Sequence, residues 1–303
     1  PALDLLQQKD AELYVLELSS FQLETCPSLA PVAATVLNIS DDHMDRHSSL
    51  ARYSEVKDRV YHKAAYGVYA EDYPLQPQVH QKGIVRFGVT QQEGTEFSIE
   101  LHDQQRCLVQ MGERLIAADE LTLPGAMGEL NVLAALALVQ PYIKDKMAML
   151  AVLRSFEGLP HRCQSVAKHA DVLWVNDSKG TNPGATMAAI KSFDRGMVLI
   201  LGGVHKGGAI DELVELIRHR VHSVVLFGRD AAVFAQALKD HACYPASDLA
   251  TAVTLSAKHS RAGDVVLFSP ACASFDMFDN YQQRGDSFVQ LVRKQIMGGQ
   301  HAV

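Results

Sequence analysis

This chain of 303 residues contains no basic run, and its formal charge of -7 at neutral pH disfavours nucleic acid or an anionic membrane as its main partner. Its five cysteines (Cys26, Cys107, Cys163, Cys243 and Cys272) are scattered, odd in number and without a C-x-x-C pair. Neither a disulfide framework nor a thiolate metal site is implied, and the usage fits a reducing, cytoplasmic setting. No apolar stretch approaches membrane-spanning length, and residues 1–10 lack the basic, apolar and cleavage regions of a signal peptide. No strand-like run is followed by G-x-G-x-x-G, which weakens a plain dinucleotide-binding reading, and no G-x-x-x-x-G-K-[ST] occurs anywhere. Internal repeats and low-complexity tracts are absent too. What is abundant is apolar sequence: 48% hydrophobic residues over this length can bury a full core and suggest two domains.

The apolar residues fall in short continuous runs that end in polar loops. VLWVNDSKGTNPGATMAAI (172–190) passes from such a run into Asp177, Ser178, Lys179, Thr181 and Asn182, then into a helix opening. Asn182 is placed to cap that helix and Pro183 to be its first residue, so free N–H groups would face any anion that Lys179 attracts. LYVLELSS (13–20) carries Glu17, and ATVLNISDDHMDRH (34–47) ends in Asp41, Asp42, His43 and Asp45. MVLILGGVHKGG (197–208) ends in glycines and Lys206, HSVVLFGRD (222–230) in Gly228, Arg229 and Asp230, and DVVLFSPACAS (264–274) in Ser269 and Ser274. Continuous apolar strands alternating with amphipathic segments mark parallel sheets covered on both faces, so the fold class is α/β. Ligands of such sheets sit at the carboxyl ends of the strands.

GIVRFGV, TEFSIELH and RCLVQMG read as a small antiparallel patch, followed by helices over 129–139 and about 145–156. EGLPHR (157–162) is the linker candidate between residues 1–158 and 159–303.

Glu17 and His43, at the ends of strands that could be neighbours, could share one cation, and a carboxylate with an imidazole and waters suits Mg2+ or Mn2+ better than Zn2+. Each residue alone is more often structural: an ion-paired carboxylate and a turn histidine. Lys57 falls close to the apolar face that Leu50, Tyr53, Val56 and Val60 define at helical spacing. Two outcomes stay open there: a snorkelling ammonium, or a desolvated neutral amine able to react with carbon dioxide. His205 reads as a solvated loop histidine.

Taken in order, LELSSFQLE, NISDDHMDRH, the Lys57 helix, GLPHR, NDSKGTNPGAT, LGGVHKG and SPACASFDMFDNYQQRG resemble the Mur ligases of peptidoglycan synthesis, and within them the D-glutamate-adding branch. The resemblance covers essentially the whole chain. It implies a central ATPase-type domain, with a mostly parallel sheet and a small antiparallel patch, followed by a Rossmann-like C-terminal domain. It also implies an ATP-dependent, ADP-forming ligase that is monomeric and acts on UDP-N-acetylmuramoyl-L-alanine and D-glutamate with Mg2+. On its matching positions, Glu17 and His43 would hold the metal with a carbamylated Lys57, and Ser19 and Gln22 would lie near the muramoyl substrate. Asn131, Arg162 and Asp177 would address ATP. Lys179, Thr181 and Lys206 would meet the D-glutamate carboxylates or the phosphoryl group, while Ser274, Phe275 and the backbone near Tyr281 would fix the amino acid. Lys57, His43, Lys179 and Lys206 would form the catalytic set.

The missing phosphate loop is the main departure from the family pattern. With a beginning at Pro1, it leads to the expectation of an N-terminally truncated ligase, its central sheet incomplete, with little activity alone. A sister amino-acid ligase and a non-catalytic module that binds nucleotide or D-glutamate are the competing readings.

Overall fold

The computed structural model describes residues 11–39, 44–75, 77–78, 80–90, 92–296 and 298. His43, Asp41 and Asp42 lie outside the described residues, as does the side chain of Asp45. The chain forms two compact units, one of Pro1–Glu100, Gln110–Gly112 and Leu133–Tyr142, the other of Leu101–Val109, Glu113–Val132 and Ile143–Val303. Among the described residues no helix is long and apolar enough to cross a membrane.

The first sheet runs in the order β1 (Ala33–Val36), β2 (Tyr66–Ala70), β3 (Gly83–Phe87), β4 (Phe97–His102), β5 (Gln105–Gln110), β6 (Glu113–Ala117). β1, β2, β3 and β4 pair in parallel. GIVRFGV is therefore not part of an antiparallel patch, because its strand β3 lies along β2 for five residues in parallel register. Antiparallel geometry enters further on. Asp103-Gln104 and Met111-Gly112, all with left-handed φ, make the two-residue turns that join β4 to β5 and β5 to β6.

The core of the first unit is organised by Tyr61. Its ring stacks on Tyr69 at 4.3 Å, while its hydroxyl accepts the Val36 N–H at 2.8 Å and donates to the Val68 carbonyl at 3.0 Å, tying β1 to β2. Burial raises the Tyr61 phenol above its ordinary range, so the hydroxyl stays a donor at any ordinary pH.

The expected strand over 13–20 does not form. Residues 12–18 have no regular structure, and Leu13, Tyr14, Val15 and Leu16 are exposed, Val15 by 81%. An apolar run becomes a strand only where it pairs with a neighbour, and among the described strands none pairs with residues 12–18. The chain enters instead a short helix, α1 (Ser20–Thr25). Two further helices follow β1: α2 (Met44–His47) and α3 (Leu50–Asp58), the latter capped by the Ser49 hydroxyl on the Arg52 N–H at 3.2 Å. The helices expected after the antiparallel strands are α4 (Gly125–Val139) and α5 (Lys146–Ser155). Asp145 caps α5 through the Met147 and Ala148 N–H groups.

The second sheet has the order β11 (Cys243–Pro245), β10 (Ser223–Phe227), β9 (Met197–Gly202), β12 (Val265–Phe268), β8 (Val172–Asn176), β7 (Gln164–His169). All its pairings are parallel except β7 with β8. Alternate residues feed two cores. Leu199, Leu201, Leu226 and Leu267 pack with α6 (Pro183–Lys191), α7 (Asp211–Arg220) and α8 (Ala231–Ala237). Val198, Ile200, Phe227 and Phe268 pack with α9 (Leu249–His259) and α10 (Tyr281–Gln295). This doubly covered sheet is what the continuous apolar runs encode. From β9 the chain moves outward to β10 and β11 and then returns to insert β12 between β9 and β8. That reversal makes a topological switch point, flanked by the loops after β8, β9 and β12.

Candidate functional site

In the first unit, Glu17, Ser19, Gln22 and Lys57 share one cleft of about 350 Å³, with Leu18, Ser20 and Tyr53. Glu17 is exposed. Ser19 and Gln22 form a capping box at the start of α1. The Ser19 Oγ accepts the Gln22 N–H at 3.3 Å and Gln22 Oε1 accepts the Ser19 N–H at 2.8 Å. Lys57 is half-buried, its Nζ 5.1 Å from the centre of the Tyr53 ring. Beneath lies a residue that the sequence pattern did not single out. His47 is buried, accepts or donates a hydrogen bond with Ser20 Oγ at 2.9 Å, and packs against Phe21 and Tyr53.

In the second unit the loops at the carboxyl ends of β8, β9, β10 and β12 are fastened to one another. After β8, Asp177 is buried, accepting the Ser269 hydroxyl at 2.7 Å and the Cys163 N–H at 3.2 Å. Burial pushes its carboxyl up to about 6 despite those donors and the nearby Arg162 charge, which pull it down. The same burial raises the Cys163 thiol well above its usual value. Arg162 is exposed, Thr181 is half-buried, and Asn182 caps α6 on the Ala185 N–H at 2.8 Å with Pro183 at the first helical position. Asn131 lies exposed on α4.

The loop after β9 carries exposed Lys206. Its Gly202-Gly203 pair is forced: both φ values are left-handed, and a Cβ would collide with the Phe227 carbonyl at one glycine and the Ala273 carbonyl at the other. Val204 and Ala273 exchange two 2.9 Å backbone hydrogen bonds, joining the Lys206 loop to the one carrying buried Ser274 and exposed Phe275. Asp230 accepts the His205 N–H at 2.8 Å and Asp276 accepts the Arg229 N–H at 2.8 Å, so the loop after β10 joins the same assembly. His205 is not the solvated histidine expected. Its ring edge meets Phe234 at 5.8 Å, its Nε2 accepts the Gly208 N–H at 3.4 Å, and its Nδ1 is buried without a partner.

One residue that the sequence pattern passed over holds the loops after β8 and β12 together. Arg284 is 1% exposed. It donates from Nε to Ser178 Oγ at 3.0 Å, from Nη2 to the Ser178 carbonyl at 2.8 Å and from Nη1 to the Cys272 carbonyl at 3.0 Å. Ser178 in turn donates to the Tyr281 carbonyl at 2.8 Å. Desolvation lowers the guanidinium to about 10, which still leaves it charged at neutral pH. The available signal was spacing: Arg284, Phe288 and Val292 lie on one buried stripe of α10. Next to them His161, buried and at φ +66°, takes the Asn176 amide N–H on Nδ1 at 3.1 Å.

Polar loops gathered at a switch point of a doubly covered sheet are where open α/β proteins bind their ligands. Residues 2–139 match the Mur ligase middle domain and residues 161–272 the Mur ligase, glutamate ligase domain. The chain belongs to the Mur ligase family.

It is similar to the UDP-N-acetylmuramoylalanine–D-glutamate ligase of Chromohalobacter salexigens, with 42% identity across 96% of this chain and 65% of that protein. The same-named ligases of Hydrogenovibrio crunogenus and Pseudomonas savastanoi are 40% and 44% identical, over 98% and 96% of this chain and 68% and 66% of theirs. The chain thus spans about two thirds of the length of these relatives, 65% of the first.

The fold is shared with the MurF ligase of Thermotoga maritima in complex with ADP (TM-score 0.61, 18% identity, 91% of this chain and 65% of that one). It is shared also with Mycobacterium tuberculosis folylpolyglutamate synthase complexed with ADP (TM-score 0.60, 16% identity, 88% and 64%).

Proposed function

We propose that the chain serves an ATP-dependent ligase reaction that joins D-glutamate to UDP-N-acetylmuramoyl-L-alanine in peptidoglycan synthesis. One observation carries the reading. The cations and short donors at the carboxyl ends of β8, β9 and β12 sit in a chain 40–44% identical, over almost its whole length, to ligases named for D-glutamate.

In this reading the ATP γ-phosphate passes to the carboxylate of the nucleotide-sugar substrate, giving an acyl phosphate and ADP. The D-glutamate amine then attacks the acyl carbon, and inorganic phosphate leaves from the tetrahedral intermediate. Such chemistry gathers several anions, and its demand is for fixed positive charge near the transferring phosphoryl group. Lys179 and Lys206 supply it, with Thr181, Ser274 and the backbone near Tyr281 holding the amino acid's carboxylates and Phe275 beside the amino acid. Arg162, Asp177 and Asn131 are assigned to ATP. Ser19 and Gln22 contribute to the muramoyl side with the polar edges that the capping box leaves free. The functional division at 158–159 is supported by the irregular segment 156–163 between α5 and β7.

Magnesium fits the first-unit cleft by donor chemistry. Glu17 offers a carboxylate there, and carbamylation would turn Lys57 from a repelling cation into a second oxygen ligand. His43, outside the described residues, is assigned as a nitrogen ligand by the family resemblance alone. When bound, the ion would neutralise charge on the phosphates. The protein is read as a monomer of the cytoplasm.

The test is equilibrium binding of D-glutamate, L-glutamate, L-alanine and 2,6-diaminopimelate to the 303-residue chain. The reading requires selection of D-glutamate, and at least a tenfold loss in Lys179→Met and Lys206→Met. Selection of another amino acid would favour a sister ligase.

A further inference from the structure

We infer that the Tyr281 side chain is a positioning residue for Lys179, its ring acting as the seat of the lysine ammonium. The inference rests on the reading of Lys179 as an anion-binding residue and adds a role for a side chain otherwise credited only with its backbone.

Lys179 Nζ lies 4.4 Å from the centre of the Tyr281 ring, well inside the range in which a cation is held by the ring's negative face. Among the described residues no carboxylate pairs with it. The ring is therefore the neighbour that fixes where the charge sits.

The backbone at both ends of this contact is anchored. The Lys179 N–H donates to the His161 carbonyl at 3.0 Å, and its own carbonyl accepts the Thr181 N–H at 2.8 Å. The Tyr281 carbonyl takes the Ser178 hydroxyl, which the buried Arg284 guanidinium holds in place. On a further side, the His161 ring meets Tyr281 edge-on, with centroids 6.0 Å apart and planes at 81°. The aromatic plane is thus fixed by α10, by the loop after β8 and by His161 together.

A lysine on a four-carbon stem otherwise samples many rotamers, and fixing it before a ligand arrives removes that ordering cost from binding. A neutral ring also leaves the whole positive charge available to an incoming anion. A carboxylate partner would have to be displaced. The hydroxyl of Tyr281 takes no part in this arrangement, so phenylalanine should serve as well.

The experiment uses the full 303-residue chain without ligand, with the ε-methylene resonances of Lys179 assigned by NMR. In the wild type and in Tyr281→Phe they are shifted upfield by the ring. In Tyr281→Leu they move to the position of a solvated lysine. A solvated-lysine position in the wild type, or an unmoved signal in Tyr281→Leu, overturns the seat. A D-glutamate titration of the same samples separates this from the functional reading. Tyr281→Leu weakens binding about fivefold, Tyr281→Phe leaves it unchanged, and Lys179→Met abolishes it. Equal affinity in Tyr281→Leu and wild type overturns the positioning role even if the contact exists. Absence of D-glutamate binding in the wild type overturns the functional reading, and the resonance shift then still decides the seat.

Discussion

The Ser269 hydroxyl donates to the buried carboxylate of Asp177 at 2.7 Å, linking the end of β12 to the end of β8 at the switch point of the second sheet. Burial outweighs this hydrogen bond and raises the Asp177 carboxyl from 3.8 to about 6. A carboxyl raised on folding binds more protons in the native state than in the unfolded chain. Its stabilising contribution is complete below pH 3.8 and falls as pH rises through about 6. Asp177→Asn should therefore gain on the wild type by roughly 2 kcal/mol between pH 4 and pH 7.5. Urea denaturation at the two pH values measures this, and parallel stability profiles would show that Asp177 ionises as freely as in the unfolded chain.

The capping box of Ser19 and Gln22 makes a local prediction. Ser19→Ala should cost α1 about 1 kcal/mol, and Ser19→Asp should recover most of it. Amide exchange at Gln22 and Leu23 reports on this helix alone. Protection unchanged in Ser19→Ala would mean that packing, not capping, holds α1.

Gly285 lies inside α10, where alanine is ordinarily better by up to about 1 kcal/mol. Here a Cβ would run into His161 Nδ1, the atom that accepts the Asn176 N–H. Gly285→Ala is expected to destabilise the second unit by about 1–3 kcal/mol. It should also move the His161 ring resonances. A rise in melting temperature would contradict the tight approach of His161 to α10.

Lys57 provides a chemical prediction. In 13C-bicarbonate, the chain should show one carbamate carbon signal that Lys57→Arg removes. A spectrum without such a signal under magnesium and bicarbonate would leave the lysine as a cation beside Tyr53 and withdraw its proposed part in metal binding.

Much of the second unit could be read from the amino acids. β8, β9, β10 and β12 are continuous apolar runs, and the Asn182-Pro183 helix start behaves as its residue types dictate, because both signals are local. The first unit was less legible. LYVLELSS has the composition of a buried strand, yet composition cannot supply the neighbour that a ladder needs. β2 (YGVYA) was not singled out, and its pairing sets β3 parallel rather than antiparallel. At the candidate site, the loop residues with reactive groups were visible. The clamp was not: Arg284 and Ser178 are 106 residues apart, and what joins them is a hydroxyl and a backbone carbonyl that no spacing rule marks. His205 departs from its expected setting for a similar reason, since its ring meets Phe234 of α8, beyond the next helix and strand.

The most direct test of the central claim is a backbone NMR titration of the 303-residue chain with D-glutamate. The account predicts saturable shifts at Lys179, Thr181, Lys206, Ser274 and Tyr281, absent with L-glutamate and lost in Lys179→Met. Shifts confined to other surfaces, or identical responses to the two enantiomers, would contradict it.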